Sequence, residues 1–223
     1  MEKNDFMINP KKGVLIVYEG ISGSGKSKGI AELSECLSKN KVEAKVIEWN
    51  SNKRIRSFVE RLEKLGILTS SLYSLLQWMS FLIDYFKVIS PSLKKNHVVI
   101  ADRYIFTGIT RDAVNGAGKW FGSIIYRFVR KPDVLFFYDT PVQICYSRIQ
   151  SRGKPLFHTN KALHQNKKIN NKEIYYLNEM RNEYIQLFKN HKTKTNTNVF
   201  VVNDSFINMN TAVEGYIRQK KSS

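Results

Sequence analysis

Cysteine is scarce in this chain, with only Cys36 and Cys145 among 223 residues. The two lie far apart and have no partners at metal-ligand spacing. A disulfide-stapled scaffold and a cysteine zinc site are therefore both excluded, and a reduced compartment is expected. No apolar run approaches the roughly 20 residues that a membrane-spanning helix needs. The opening MEKNDFMINPKK also lacks the uninterrupted apolar stretch of a secretion signal. The expected location is the cytoplasm, with no membrane partner. Proline is sparse at 5 residues, and no stretch rich in Pro, Gly or Ser divides the chain. No internal repeat appears either, so residues 1–223 are expected to form one domain.

Acidic residues are also in short supply: 19 Asp and Glu face 36 Lys and Arg, a formal net charge of +17. Such an excess attracts polyanions, and charge alone leaves nucleic acid, a membrane surface and a phosphorylated small molecule open. The lysines are spread through segments such as KNKVEAK, KKINNKE and NHKTKTNTN. That dispersal favours solvated charge over a dedicated polyanion groove.

Local patterns define the architecture. VLIVY (residues 14–18) is a short β-branched and apolar run that predicts a buried strand. Ile30, Leu33 and Leu37 then recur at helical spacing up to a stop at Asn40. Further strands are expected at 44–48, 98–101 (VVIA), 134–138 (VLFFY) and 199–202. Helices are expected at 53–65 and at 70–90, the second ending at Pro91. Strands that follow helical sequence and read as continuous apolar runs suit a parallel sheet covered on both faces. The expectation is a three-layer α/β fold with five parallel strands. Residues 153–171 (GKPLFHTNKALHQNKKINN) form a long stretch without regular pattern, expected to act with the end of the preceding helix as a lid over 148–171.

GISGSGKS carries the chemistry. Gly20, Ile21, Ser22, Gly23, Ser24, Gly25, Lys26 and Ser27 satisfy G-x-x-x-x-G-K-[ST], between a strand and a helix as that motif requires. The glycines let successive N–H groups turn inward, and the helix adds its positive end, so a nucleotide phosphate is held by backbone. Lys26 would reach the β- and γ-phosphates, and the Ser27 hydroxyl would coordinate Mg²⁺. Asp102 ends a predicted parallel strand, placed to act on Mg²⁺ directly or through water. Arg103 beside it could hold a phosphate bidentately. Arg148 and Arg152 stand four apart on a predicted helix whose other face is Val142, Cys145 and Ile149. Like charges at this spacing repel unless an anion lies between them, which makes the pair a candidate clamp on a transferring phosphoryl group.

With VYEGISGSGKS, VVIADRYIFTG and KPDVLFFYDTPVQICYSRIQSRGKP in this order, the chain resembles the thymidylate kinases over roughly residues 13–190. The phosphate loop alone is shared by many ATPases and GTPases, but its combination with Asp-Arg-Tyr and the later segment is specific. The resemblance implies transfer of the ATP γ-phosphoryl group to dTMP with Mg²⁺, by a homodimer. It places Lys26 and Ser27 on the ATP phosphates and magnesium, Arg103 and Tyr104 at the acceptor, and Arg148 and Arg152 in the lid over ATP.

The chain departs from the family at the acceptor. Ser22 stands where the family's loop usually carries aspartate, and in SFLIDYFKV the nearest equivalent to a phosphate-clamping arginine is Asp84, which would repel a phosphate. Arg111 is the expected substitute, with Arg54 and Arg56 as a second possibility. Phe81 and Tyr85 could stack on a pyrimidine, although aromatics on an apolar helix are more often core. These departures leave two alternatives: a kinase with another phosphate acceptor, and an ATP-binding protein that associates with nucleic acid without transferring phosphate.

Overall fold

The computed structural model describes residues 13–153, 156, 169–191, 197–202 and 213. The first strand, β1 (Val14–Glu19), is buried along its whole length. Its side chains alternate between two cores. Val14, Ile16 and Tyr18 pack with Ile30, Leu33 and Leu37 of the helix α1 (Lys26–Lys39), while Leu15 and Val17 join a second cluster on the opposite face. A strand covered on both sides has no place for a polar residue, which is why VLIVY reads as an unbroken apolar run.

The sheet has the order β2-β3-β1-β4-β5, with β2 Ala44–Glu48, β3 Val98–Asp102, β4 Val134–Tyr138 and β5 Asn198–Val202. All four pairings are parallel, and Tyr18 lies opposite both Asp102 and Phe136. This is the expected five-stranded α/β architecture. From β1 the neighbouring strands are reached in opposite directions, so the carboxyl ends of β1, β3 and β4 border the crevice where such sheets bind ligands. The outer strands are less enclosed than their sequences imply. Val46 of β2 is 48% exposed, and β5 is only half-buried among the described residues, because an edge strand has a neighbour on one side only.

Two helices follow β2 directly. Asn52 caps α2 (Lys53–Lys64) by accepting from the N–H groups of Arg54 and Ile55, and Thr69 caps α3 (Ser70–Asp84) in the same manner through Leu72. The expected stop at Pro91 is corrected here. After Asp84 the chain makes a π-helical turn, Tyr85–Ile89, and continues as α4 (Ser90–Lys94) straight through Pro91. Proline lacks an N–H and its ring crowds the preceding turn. The wider turn takes up the missing bond, with the N–H of Ser90 reaching back to the carbonyl of Tyr85, and Pro91 falls in the first turn of α4, where no donor is needed.

Two helices without a clear sequence signature follow β3: α5 (Ile105–Asn115) and α6 (Trp120–Phe128). The helix α7 (Val142–Ser151) buries Val142, Cys145 and Ile149 as expected, and α8 (Lys172–His191) packs beside α5 and α7. Of the expected lid, residues 154–155 and 157–168 lie outside the described residues, as does the basic C-terminal IRQKKSS.

Candidate active site

Gly23 and Gly25 show why the loop after β1 requires glycine. Both have positive φ, at 81° and 99°, and a Cβ on Gly23 would sit 2.4 Å from the carbonyl oxygen of Cys145. Gly25 is the residue before α1, and neither a side-chain cap nor an acidic residue serves that helix's first turn. The N-terminal N–H groups and the positive end of the helix dipole are thus left for an anion. The loop is anchored from β4's far end, where the Thr140 hydroxyl donates to the carbonyl of Ser24 (3.0 Å). Ile21 and Ser22 turn toward a cavity, whereas Ser24 is buried and accepts from Lys26.

Three cations already sit on this loop. Lys26 Nζ donates to the carbonyls of Gly20 (3.0 Å) and Ile21 (2.9 Å) and to Ser24 Oγ (3.2 Å). Arg103 donates to the Gly20 carbonyl (2.9 Å) and to Ser22 Oγ (3.2 Å), and Arg148 donates to the Gly23 carbonyl (3.1 Å). Arg152, in contrast, is the exposed C-cap residue just beyond α7, and the structure does not bring it to the loop with Arg148.

Burial, and secondarily the nearby Arg103, lowers the pKa of Lys26 to about 7. The unfolded chain would keep this proton up to the ordinary lysine range, so between the two values folding releases it and stability rises with pH. Phosphate at the loop should reverse the shift. Binding of Mg-ATP near pH 8 is therefore expected to take up about one proton, seen calorimetrically as a dependence of the heat on buffer ionisation enthalpy. Lys26→Ala should abolish that dependence.

Asp102 and Arg103 lie at the carboxyl end of β3. Arg103 is held at a φ of 72°, left-handed for a residue with a side chain, with its N–H on the carbonyl of Tyr18 (2.9 Å). What holds the turn in place is Glu19, which the sequence reading did not single out. Its Oε1 accepts from the N–H groups of Tyr104 (2.8 Å) and Thr107 (3.3 Å), and its Oε2 accepts from the hydroxyls of Thr107 (2.7 Å) and Tyr184 (3.0 Å). Burial raises the Glu19 pKa despite these bonds. The available signal was a carboxylate closing an otherwise apolar strand.

Ser27 is exposed on the first turn of α1, and Asp102 Oδ1 is buried without a hydrogen-bond partner among the described residues. Among the described residues no cluster of three or more His, Cys, Asp or Glu is suited to a metal. A hydroxyl and one carboxylate, with the remaining positions taken by phosphate and water, is a donor set that fits Mg²⁺.

A cavity of about 420 Å³ opens beside the loop. Its wall includes Ser22, Arg103, Trp49, Tyr73, Gln77 and Arg111. Arg111 donates to the Tyr73 hydroxyl (3.5 Å) and makes no ion pair with a carboxylate among the described residues. Arg56 also lines this cavity, with its guanidinium on the carbonyl of Asn50 (3.0 Å), whereas Arg54 faces a separate surface depression.

Three residues expected to meet the acceptor, Tyr104, Phe81 and Asp84, do not line the cavity. Tyr104 is 1% exposed, and its hydroxyl donates to the carbonyl of Arg130, so its ring belongs to the core and not to the cavity. Phe81 is likewise core: Trp49 stacks on it at 5.1 Å and stands with Tyr73 and Tyr176 among the aromatics that border the cavity. Tyr85 is core as well, the reading its apolar helix favours: it is buried, and its hydroxyl oxygen accepts from the N–H of Arg130 (2.9 Å). Asp84 does not line the cavity either. It is buried against Ser51, with its pKa raised by desolvation, so it does not confront a phosphate there.

A phosphate-cradling loop at the switch point of a parallel sheet, beside an arginine-lined cavity, defines a P-loop phosphotransferase. The thymidylate kinase family model matches residues 18–204, and the chain belongs to that family. It is 34% identical over 145 residues to a probable thymidylate kinase 2 of Saccharolobus solfataricus, a match covering 65% of this chain and 68% of that protein. It is 30% identical to a probable thymidylate kinase of Thermococcus kodakarensis (62% and 72% covered) and 27% identical to the thymidylate kinase of Ureaplasma parvum (82% and 94% covered).

Proposed function

We propose that this chain transfers the γ-phosphoryl group of ATP to dTMP, giving dTDP, and that residues 1–223 act as one kinase domain. The observation that carries this reading is the juxtaposition of the phosphate loop with a nucleotide-sized cavity whose wall contains Arg103 and Arg111. Phosphoryl transfer asks little covalent chemistry of a protein; it depends on alignment and on cations placed where charge spreads over the phosphate oxygens. Backbone N–H groups of Gly20 to Ser27 would bind the ATP phosphates, and Lys26 would exchange its loop carbonyls for β- and γ-oxygens. Arg148 would leave the Gly23 carbonyl for the transferring group, joined there by Arg152. Mg²⁺, held by Ser27 and Asp102, would neutralise phosphate charge.

Arg103 and Arg111 would clamp the phosphate of dTMP. An unpaired guanidinium facing a cavity is costly to desolvate, and an anion between the two arginines offsets that cost. Arg111→Met should accordingly raise the KM for dTMP about 100-fold while leaving the fold intact, since the variant removes a buried charge instead of stranding one. Steady-state kinetics at saturating ATP measure this.

The family's homodimer is supported here by apolar side chains left exposed along α3 and the π turn, among them Leu75, Met79 and Phe86. No helix among the described residues is long and apolar enough to cross a membrane, and we propose a cytoplasmic enzyme. A second reading, a kinase for another acceptor, draws on Ser22, whose hydroxyl is engaged by Arg103 and supplies no carboxylate to the acceptor sugar. The +17 charge keeps nucleic-acid association open, testable as binding that weakens steeply with salt. A panel of nucleoside monophosphates separates the dTMP reading from a kinase for another acceptor.

A further inference from the structure

We propose that Gln77 reads the base of the acceptor by donating its amide N–H to a keto oxygen on the pyrimidine edge remote from the sugar. This rests on the nucleoside monophosphate kinase reading above. Gln77 is 3% exposed, on α3, and forms part of the cavity wall. Its Oε1 accepts from Trp49 Nε1 at 3.0 Å. An indole nitrogen only donates, so this contact fixes which end of the amide is oxygen. The other end, Nε2, carries two hydrogens, has no partner among the described residues and is shielded from solvent. A buried donor in this state calls for an acceptor.

The amide cannot easily turn to relieve itself. Trp49 stacks on Phe81, meets Trp78 edge-on at 5.7 Å, and ties its backbone N–H to the carbonyl of Asp102 at 2.9 Å. With the indole pinned at three points, Oε1 stays directed at it and Nε2 stays directed away from it. Nε2 is covered, so contact with a base needs the groups packed over it to give way while the bond to Trp49 is kept, a side-chain adjustment of the kind binding surfaces commonly make.

With the acceptor phosphate between Arg103 and Arg111, the base edge farthest from the sugar is the one carrying the 4-substituent. In thymine and uracil that group is a keto oxygen, which accepts. In cytosine it is an amino group, and donor would face donor. Gln77 thus selects for 4-keto pyrimidines and against 4-amino ones, a discrimination made by polarity at nearly constant shape.

The test compares kcat/KM for dTMP, dUMP and dCMP in the wild type, Gln77→Met and Gln77→Glu. The wild type should prefer dTMP and dUMP over dCMP by about 100-fold. Gln77→Met should lose about 10- to 100-fold with dTMP and largely erase the preference. Gln77→Glu keeps an oxygen for Trp49 but offers a second acceptor to the base, so it should lower dTMP turnover and raise that of dCMP. An unchanged ratio of dTMP to dCMP in either variant, or a wild type that uses dCMP as well as dTMP, overturns the assignment of Gln77 and leaves the kinase reading standing. If the wild type turns over no monophosphate at all, the kinase reading falls, and this inference with it.

Discussion

Lys26→Ala is expected to lower kcat for phosphoryl transfer by about 10³-fold, the scale seen when one well-placed donor to developing charge is removed. Lys26 is the cation that the loop already holds over its own centre, through the carbonyls of Gly20 and Ile21 and the hydroxyl of Ser24. Those neutral acceptors keep the ammonium where phosphate oxygens would replace them. Its stabilising effect grows as charge builds on the transferring group, so the loss should fall on kcat more than on the KM for ATP. Stability should move the other way. Below pH 7 the wild type carries a desolvated charge that the variant lacks, so Lys26→Ala should melt at or above the wild-type temperature at pH 6. That advantage should shrink as pH rises through about 7, where the buried lysine loses its proton. A variant dead in transfer yet no less stable would separate chemistry from folding.

Glu19→Ala should have the largest effect on stability, about 3–5 kcal/mol. The substitution leaves two backbone donors, those of Tyr104 and Thr107, and two hydroxyls, those of Thr107 and Tyr184, without their common acceptor in a fully buried site. For a chain of this length the loss corresponds to a fall in Tm of about 10 °C. Glu19→Gln keeps the shape and one acceptor and should cost distinctly less. Chemical denaturation of the three proteins measures the series. Because the same carboxylate fixes the turn bearing Arg103, any Glu19→Ala protein that still folds should also bind dTMP more weakly.

These two residues mark the boundary of what could be read from sequence. Lys26 was legible because the phosphate loop is local: eight consecutive residues, with strand before and helix after, contain their own geometry. The parallel strands were legible for a similar reason, since VLIVY, VVIA and VLFFY each carry the unbroken apolar signature of a doubly covered strand. The helix α5 was not. Its first turns, IFTGIT, hold two threonines and a glycine, poor helix formers, and its N-terminal donors are met by Glu19 on a different element. A cap supplied through the fold leaves no trace in the local pattern. The extent of the rod after α3 was hidden by the opposite effect: Pro91 signals a stop, but the π turn ahead of it absorbs the missing hydrogen bond.

The acceptor side shows the same limit. Arg111 could be named as a substitute cation from its type and neighbourhood. Trp49 and Gln77 could not be paired, because one follows β2 and the other lies within α3, and only the fold brings the indole N–H to the amide oxygen. For Phe81 the sequence leaves stacking on a base and burial in the core both open, because nothing local shows that Trp49 covers it.

The decisive measurement is transfer of labelled γ-phosphate from Mg-ATP to each of dTMP, dUMP, UMP, dCMP, AMP and GMP by the wild-type protein. Labelled dTDP formed faster than any other product, and lost in Lys26→Ala, is the predicted result. Label appearing on none of them while ATP still binds, or preferentially on a purine monophosphate, would contradict it.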